Sequence, residues 1–132
     1  MQIFKYKIMN AEIKFRGKRI DNGDWVYGYF VKDPKGQCRI YWKPFDEATS
    51  NTYHFVKPET VGQYIGKIRT EHEIYINDLI QHGETIRIVE YRNGNTCLIR
   101  QNKQDTILLS FSENPKKVGN VFDNPELLQD AF

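Results

Sequence analysis

Cysteine is scarce in this chain. Cys38 and Cys97 are the only two, too few for a disulfide scaffold. Neither belongs to a CxxC pair or stands near a histidine at zinc-ligand spacing, so both read as reduced, half-buried thiols. Excess charge is scarce too. The formal net charge is +2, which implies no general affinity for polyanions; contact with nucleic acid would need a local basic stripe. Long apolar runs are missing, which excludes a transmembrane helix. Residues 1–10 mix Lys5 and Lys7 with Phe4, Tyr6 and Ile8. They lack a continuous apolar stretch and a small-residue cleavage site, so they read as an arm or edge strand and not as a signal peptide. These absences together predict a cytoplasmic protein.

The motifs of common enzymes are absent as well. His54, His72 and His82 are the histidines, and Glu71-His72-Glu73 is the densest polar cluster. No HExxH spacing accompanies them, and a solvated charged connector accounts for the cluster. Ser50, Ser110 and Ser112 sit in no nucleophile elbow. Neither cysteine has an identifiable histidine partner. The glycines form no phosphate loop, and the carboxylate pair Asp46-Glu47 lies in a loop without defined geometry. No catalytic residue, no metal ligand and no cofactor site is assigned; the expectation is a protein that is not an enzyme.

What the chain has is aromatic residues: 8 Tyr, 8 Phe and 2 Trp in 132 residues. These favour pleated, half-buried surfaces. Two alternating runs between Ile13 and Val31 flank Asp21-Asn22-Gly23-Asp24, and Asn-Gly is a hairpin turn signal. With Asn22 and Gly23 as a two-residue loop, Ile20 faces Trp25, Lys18 faces Tyr27, Arg16 faces Tyr29 and Lys14 faces Val31. On the other face Phe15 meets Phe30 and Gly17 meets Gly28. One face is then apolar, and the other sets cations against aromatics.

Asp33-Pro34-Lys35-Gly36 reads as a turn. Short strands follow at Cys38–Trp42, Thr52–Val56 and Val61–Ile65. Lys67–Glu73 reads as a charged connector. Ile74–Ile80 is broken at Asn77-Asp78, where the Asp78 side chain is suited to bond its own turn. A second hairpin turns at Asn93-Gly94, pairing Ile88 with Ile99 and Val89 with Leu98. Thr106–Phe111 and Val118–Phe122 complete the strands. Phe15, Phe30, Ile88, Val89, Leu98 and Ile99 are the predicted core. At the C-terminus Asn124 reads as a helix cap, Pro125 as the first helical residue and Glu126 as a match to the positive dipole end. About two turns are expected, with Leu127, Leu128 and Phe132 docking on the sheet. The fold class is all-β: short antiparallel strands and hairpins with one short C-terminal helix. Residues 1–66 read as an N-terminal β-hairpin lobe and 67–132 as a C-terminal lobe with the helix.

Four segments form a set. They are Arg16-Gly17-Lys18-Arg19 with Trp25-Val26-Tyr27-Gly28-Tyr29; Pro58 to Gly66; Ile74 to Ile80; and Gly119 to Leu128. In this order and spacing they resemble the YopX family of phage and prophage proteins, across residues 11–128. The chain departs from the family's pattern at Ile65 and Asn77. The resemblance implies a phage or integrated-element origin, a bacterial host cell, and an SH3-like roll or barrel from about Glu73 onward. It implies no activity and carries over no site residue.

The candidate binding surface is therefore read from the residues. Lys14, Arg16, Lys18, Trp25, Tyr27 and Tyr29 share one hairpin face. Tyr and Trp anchor protein interfaces, and short β domains leave edges that pair with partners or copies. The first expectation is thus a non-catalytic accessory module that binds a protein or self-associates. The alternative is single-stranded nucleic acid stacked on rings beside positive charges. No membrane partner is expected.

Overall fold

The structure is a computed structural model that describes residues 12–43, 52–68, 72–92, 95–99, 106–108 and 115–129. Ile68, His82, Arg92, 95–99, 106–108 and Gln129 are described through their backbone. The chain is mostly antiparallel β and divides into two compact units, 1–64 and 65–132.

In the first unit, β1 (Phe15–Lys18), β2 (Trp25–Lys32), β3 (Cys38–Tyr41) and β4 (Tyr53–Val56) precede a 3-10 turn at Pro58–Thr60 and the start of β5 (Gly62–Ile68). The sheet order is β4-β3-β2-β1-β5. β2 changes partner midway. Its first half pairs with β1 up to Phe15↔Gly28, and its second half pairs with β3 from Tyr29↔Tyr41 onward. Gly28 sits at the changeover with φ +154. β4 then returns to the end of β1. Arg19 bridges Val56, Ile20 N–H donates to Phe55 O at 3.0 Å, and Lys57 N–H donates to Lys18 O at 2.8 Å. The strands thereby curl into a roll around Cys38, Ile40 and Val56, with Phe15, Val26, Phe30 and Val61 packed against them.

The β1–β2 register differs from the sequence reading. Arg16 pairs with Tyr27 and Lys18 with Trp25, so each partner slides by two residues. The loop is Ile20–Gly23, closed by Arg19 N–H to Asp24 O at 2.9 Å. The cause lies on β4: Phe55 O accepts the Ile20 N–H and Lys57 N–H donates to Lys18 O, so Ile20 turns to β4 and the ladder to β2 ends at Arg19. Because the slip is two residues, every side chain keeps its face. The Gly17–Gly28 pairing is lost. Gly17 instead faces Val56, where a Cβ would come within 3.0 Å.

The second unit is built on the five-stranded antiparallel sheet β10-β9-β8-β7-β11. β6 spans His72–Tyr75, β7 Asp78–His82, β8 Thr85–Arg92, β9 Asn95–Ile99, β10 Thr106–Leu108 and β11 Lys116–Asn120. Ile88 pairs with Ile99 and Val89 with Leu98, the register expected from the Asn93-Gly94 turn. Ile74, Ile80 and Val89 are the buried core, with Ile65 and Ile76 packed on it. Of the six expected core residues, Val89 is buried, and Phe15, Phe30 and Ile88 are half-buried. Phe15 and Phe30 keep ring contact at 5.3 Å. The side chains of Leu98 and Ile99 lie outside the described residues.

Three local readings are corrected. Lys67–Glu73 is not simply a connector, since β5 continues to Ile68 and β6 starts at His72. The last strand is Lys116–Asn120, not Val118–Phe122. It stops because Asn120 Oδ1 accepts both Phe122 N–H and Asp123 N–H at 2.9 Å, forming a turn. The helix α1 spans Glu126–Gln129; residues 130–132, where its second turn and Phe132 were expected, lie outside the described residues. Asn124 Oδ1 reaches back to Asn120 N–H at 3.2 Å rather than forward as a cap. Leu128 is buried, and α1 packs on β8. Asn124→Ala is therefore expected to lower stability by about 0.5–1.5 kcal/mol, the range for one hydrogen bond. Hydrogen exchange checks the mechanism: protection should fall first at Asn120, not at Leu127 and Leu128.

Candidate binding surface

Alternation along β2, β3 and β4 sends Phe30, Cys38, Ile40 and Val56 into the roll. It leaves Tyr29, Val31, Arg39, Tyr41, Tyr53 and Phe55 on the outside. Cross-strand register then aligns them. Tyr29 pairs with Tyr41, and Tyr41 with Tyr53, so three tyrosines stand in one row over three strands. Val31, Arg39 and Phe55 form the row beside it. The Tyr41 and Tyr53 ring centroids are 5.1 Å apart, and the Tyr53 and Phe55 rings meet edge-on at 5.4 Å. Arg39 lays its guanidinium 5.3 Å from the Tyr53 centroid and 5.2 Å from that of Phe55. These are cation–π distances. Asp33 stands 3.5 Å from Arg39 Nη2.

The six residues singled out in the sequence divide between two places. Arg16 is 2% exposed, so it is no part of a solvent-facing surface. Its guanidinium lies 4.5 Å from the Trp25 ring centroid, and Lys18 Nζ lies 5.3 Å from the same ring. Lys14 is half-buried over Tyr64 at 4.8 Å, with Glu12 at 3.5 Å. The reason is β5, which pairs along the other side of β1 through Phe15↔Gln63 and Arg16↔Gly62. Only Tyr27 and Tyr29 remain open, at 48% and 43% exposure. Tyr29 joins the row from β3 and β4; Phe55 is 39% exposed. Tyr41, Tyr53, Phe55 and Arg39 were missed as surface residues. The strict alternation of Cys38-Arg39-Ile40-Tyr41 and Tyr53-His54-Phe55-Val56 was the available signal.

Charge favours the same unit. Residues 1–64 carry eleven Lys and Arg against seven Asp and Glu, a net +4; residues 65–132 carry eight against ten, a net −2. At the β1–β2 turn, Arg19 grips Asp21 at two points, 2.8 and 2.5 Å. The hydrogen bond from Arg19 holds the Asp21 carboxyl below its ordinary value. That stabilisation is present above the ordinary aspartate range and is lost as pH falls through the lowered folded value. In an NMR titration Asp21 should protonate below ordinary aspartates, and Arg19→Gln should move it back up.

Among the described residues, the remaining polar candidates do not assemble. Cys38 is buried with its Sγ 3.7 Å from Gly36 O, His54 is half-buried and His72 exposed. The side chains of His82, Cys97, Ser50, Ser110, Ser112, Asp46, Glu47 and Glu71 lie outside the described residues. Among the described residues, no group of three His, Cys, Asp or Glu side chains is placed to hold a metal ion. No helix among them is long and apolar enough to cross a membrane.

No curated protein matches the chain. The profile of the YopX protein family matches residues 14–129, nearly the whole of it. The chain belongs to the YopX family.

Proposed function

We propose that this is a non-catalytic accessory protein of phage or prophage origin, acting in the bacterial cytoplasm. It holds single-stranded nucleic acid on the outer face of β2, β3 and β4. The observation that carries this reading is the row Tyr29–Tyr41–Tyr53 with Arg39 beside it. Rings offer stacking to any base, and cations beside them meet the phosphates. The net charge of +4 on residues 1–64 favours a polyanion over a neutral partner.

The test is a titration of labelled single-stranded DNA and RNA at two salt concentrations. Binding should weaken steeply with salt, because phosphate contacts release counterions. Tyr29→Ala should cost about 1–3 kcal/mol, the range for one stacked base. No binding at low salt, or an unchanged affinity in Tyr29→Ala, refutes the proposal.

A protein partner or a second copy is the competing reading. Exposed Trp42 and Phe55 favour it, since such rings anchor interfaces. It would show shallow salt dependence and, for self-association, a concentration-dependent mass in sedimentation.

A further inference from the structure

A cavity of about 660 Å³ opens in the first unit between the β1–β2 turn, the turn at residues 33–37 and β4. Its volume lies within the range of small-molecule sites, roughly 300–1,000 Å³. Tyr53 and Phe55 line it, and both also belong to the outer aromatic face. Ile20 and Pro58 add apolar wall, and Ile20 is 59% exposed, a large aliphatic side chain left open to water.

We infer that this cavity takes one nucleobase together with its phosphate. The walls are aromatic and aliphatic, which suits a flat ring. His54 and Gln37 line the same cavity and carry both donor and acceptor atoms for the polar edge of a base. Lys35 is exposed and also lines it. Arg19 is already engaged by Asp21, so the phosphate falls to the Lys35 ammonium. The base comes either from a nucleotide splayed out of a bound strand or from a free mononucleotide; the chemistry recognised is the same. The strand source rests on the single-strand reading above.

Two measurements on the full chain separate these. Adenosine 5′-monophosphate is titrated into ¹⁵N-labelled protein, with inorganic phosphate as control. AMP should shift the amides of Ile20, Lys35, Gly36, Gln37 and Phe55 saturably, and phosphate alone should not. Ile20→Trp fills the mouth from an exposed position and should abolish those shifts. Circular dichroism verifies its fold. The same variant should weaken single-stranded oligonucleotide binding by about fivefold or more, the lower bound for one stacked base. AMP shifts that are absent, that fall on Tyr29 and Tyr41 alone, or that survive Ile20→Trp overturn the cavity as a base site. AMP bound in the cavity with no oligonucleotide binding at any salt supports the site, assigns it to a free nucleotide and refutes the strand reading alone.

Discussion

Gly28→Ala should unfold the first unit or leave it barely stable. A Cβ at residue 28 would lie 2.0 Å from the Tyr41 carbonyl oxygen and 2.9 Å from its carbon. The obstacle is backbone, held in the β2–β3 ladder by the Tyr29↔Tyr41 pairing. It cannot swing aside as a side-chain tip does. The φ of +154 adds a second penalty, because side chains of L-residues rarely adopt it. Strain and overpacking each cost about 1–3 kcal/mol, so a combined loss of about 3–5 kcal/mol is expected. That is a large share of the stability of an ordinary domain. Gly23 and Gly36 provide the control. Both have positive φ, +77 and +87, and open space where a Cβ would go. Alanine there should cost only the left-handed backbone term, about 1–2 kcal/mol. Chemical denaturation of the three variants separates the two effects. A Gly28→Ala loss no greater than that of Gly36→Ala would show that β2 can change partners without this close approach.

The tyrosine row depends on the same changeover. β2 must leave β1 and reach β3 for Tyr29 to meet Tyr41. Local sequence gave no notice of that step. The Asn22-Gly23 turn was visible, but its loop was set by β4, whose Phe55 carbonyl accepts the Ile20 N–H. The face assignment survived only because the slip was even. The β8–β9 register was legible because an Asn-Gly pair predicts a two-residue loop, and the observed pairing Arg92↔Asn95 is the one such a loop sets. Arg16 was placed on the candidate binding face, since alternation sets it opposite the apolar side. Its burial comes from β5, which nothing near Arg16 announces. Tyr41 and Tyr53 come together across a loop whose length does not reveal the pairing. The Asn124-Pro125-Glu126 pattern reads as a cap, yet Asn124 serves the Asn120 turn. In each failure a group with a plausible local use is claimed by a segment distant in sequence or by a neighbouring turn.

Asp78→Ala should be the most damaging change in the second unit. Asp78 has no exposed surface, and its Oδ2 accepts the Tyr75 N–H at 2.7 Å. Lys117 Nζ lies 3.3 Å from the same oxygen and also donates to Glu73 O at 3.0 Å. The carboxylate thus closes the Ile76–Asn77 turn, whose Asn77 holds φ +77, and ties β11 to β7. Alanine removes the acceptor for a buried N–H and leaves the Lys117 charge without its carboxylate. Leaving a buried donor unsatisfied costs about 1–3 kcal/mol, and the orphaned amide belongs to a residue 1% exposed. Lys117, 28% exposed, keeps part of its hydration and adds less than a fully buried charge would. Asp78→Asn is the informative companion. Its carboxamide oxygen can still accept from Tyr75, but the charge facing Lys117 is gone. Its loss should fall between those of the wild type and alanine. Urea denaturation gives both values, with an unchanged slope showing that the same surface unfolds. A loss below about 1 kcal/mol for alanine, within the range of a single ordinary hydrogen bond, would remove Asp78 as the fastener of this turn. The Ile74–Ile80 segment, one of those by which the chain resembles its family, would then need another reason for an aspartate buried at its centre.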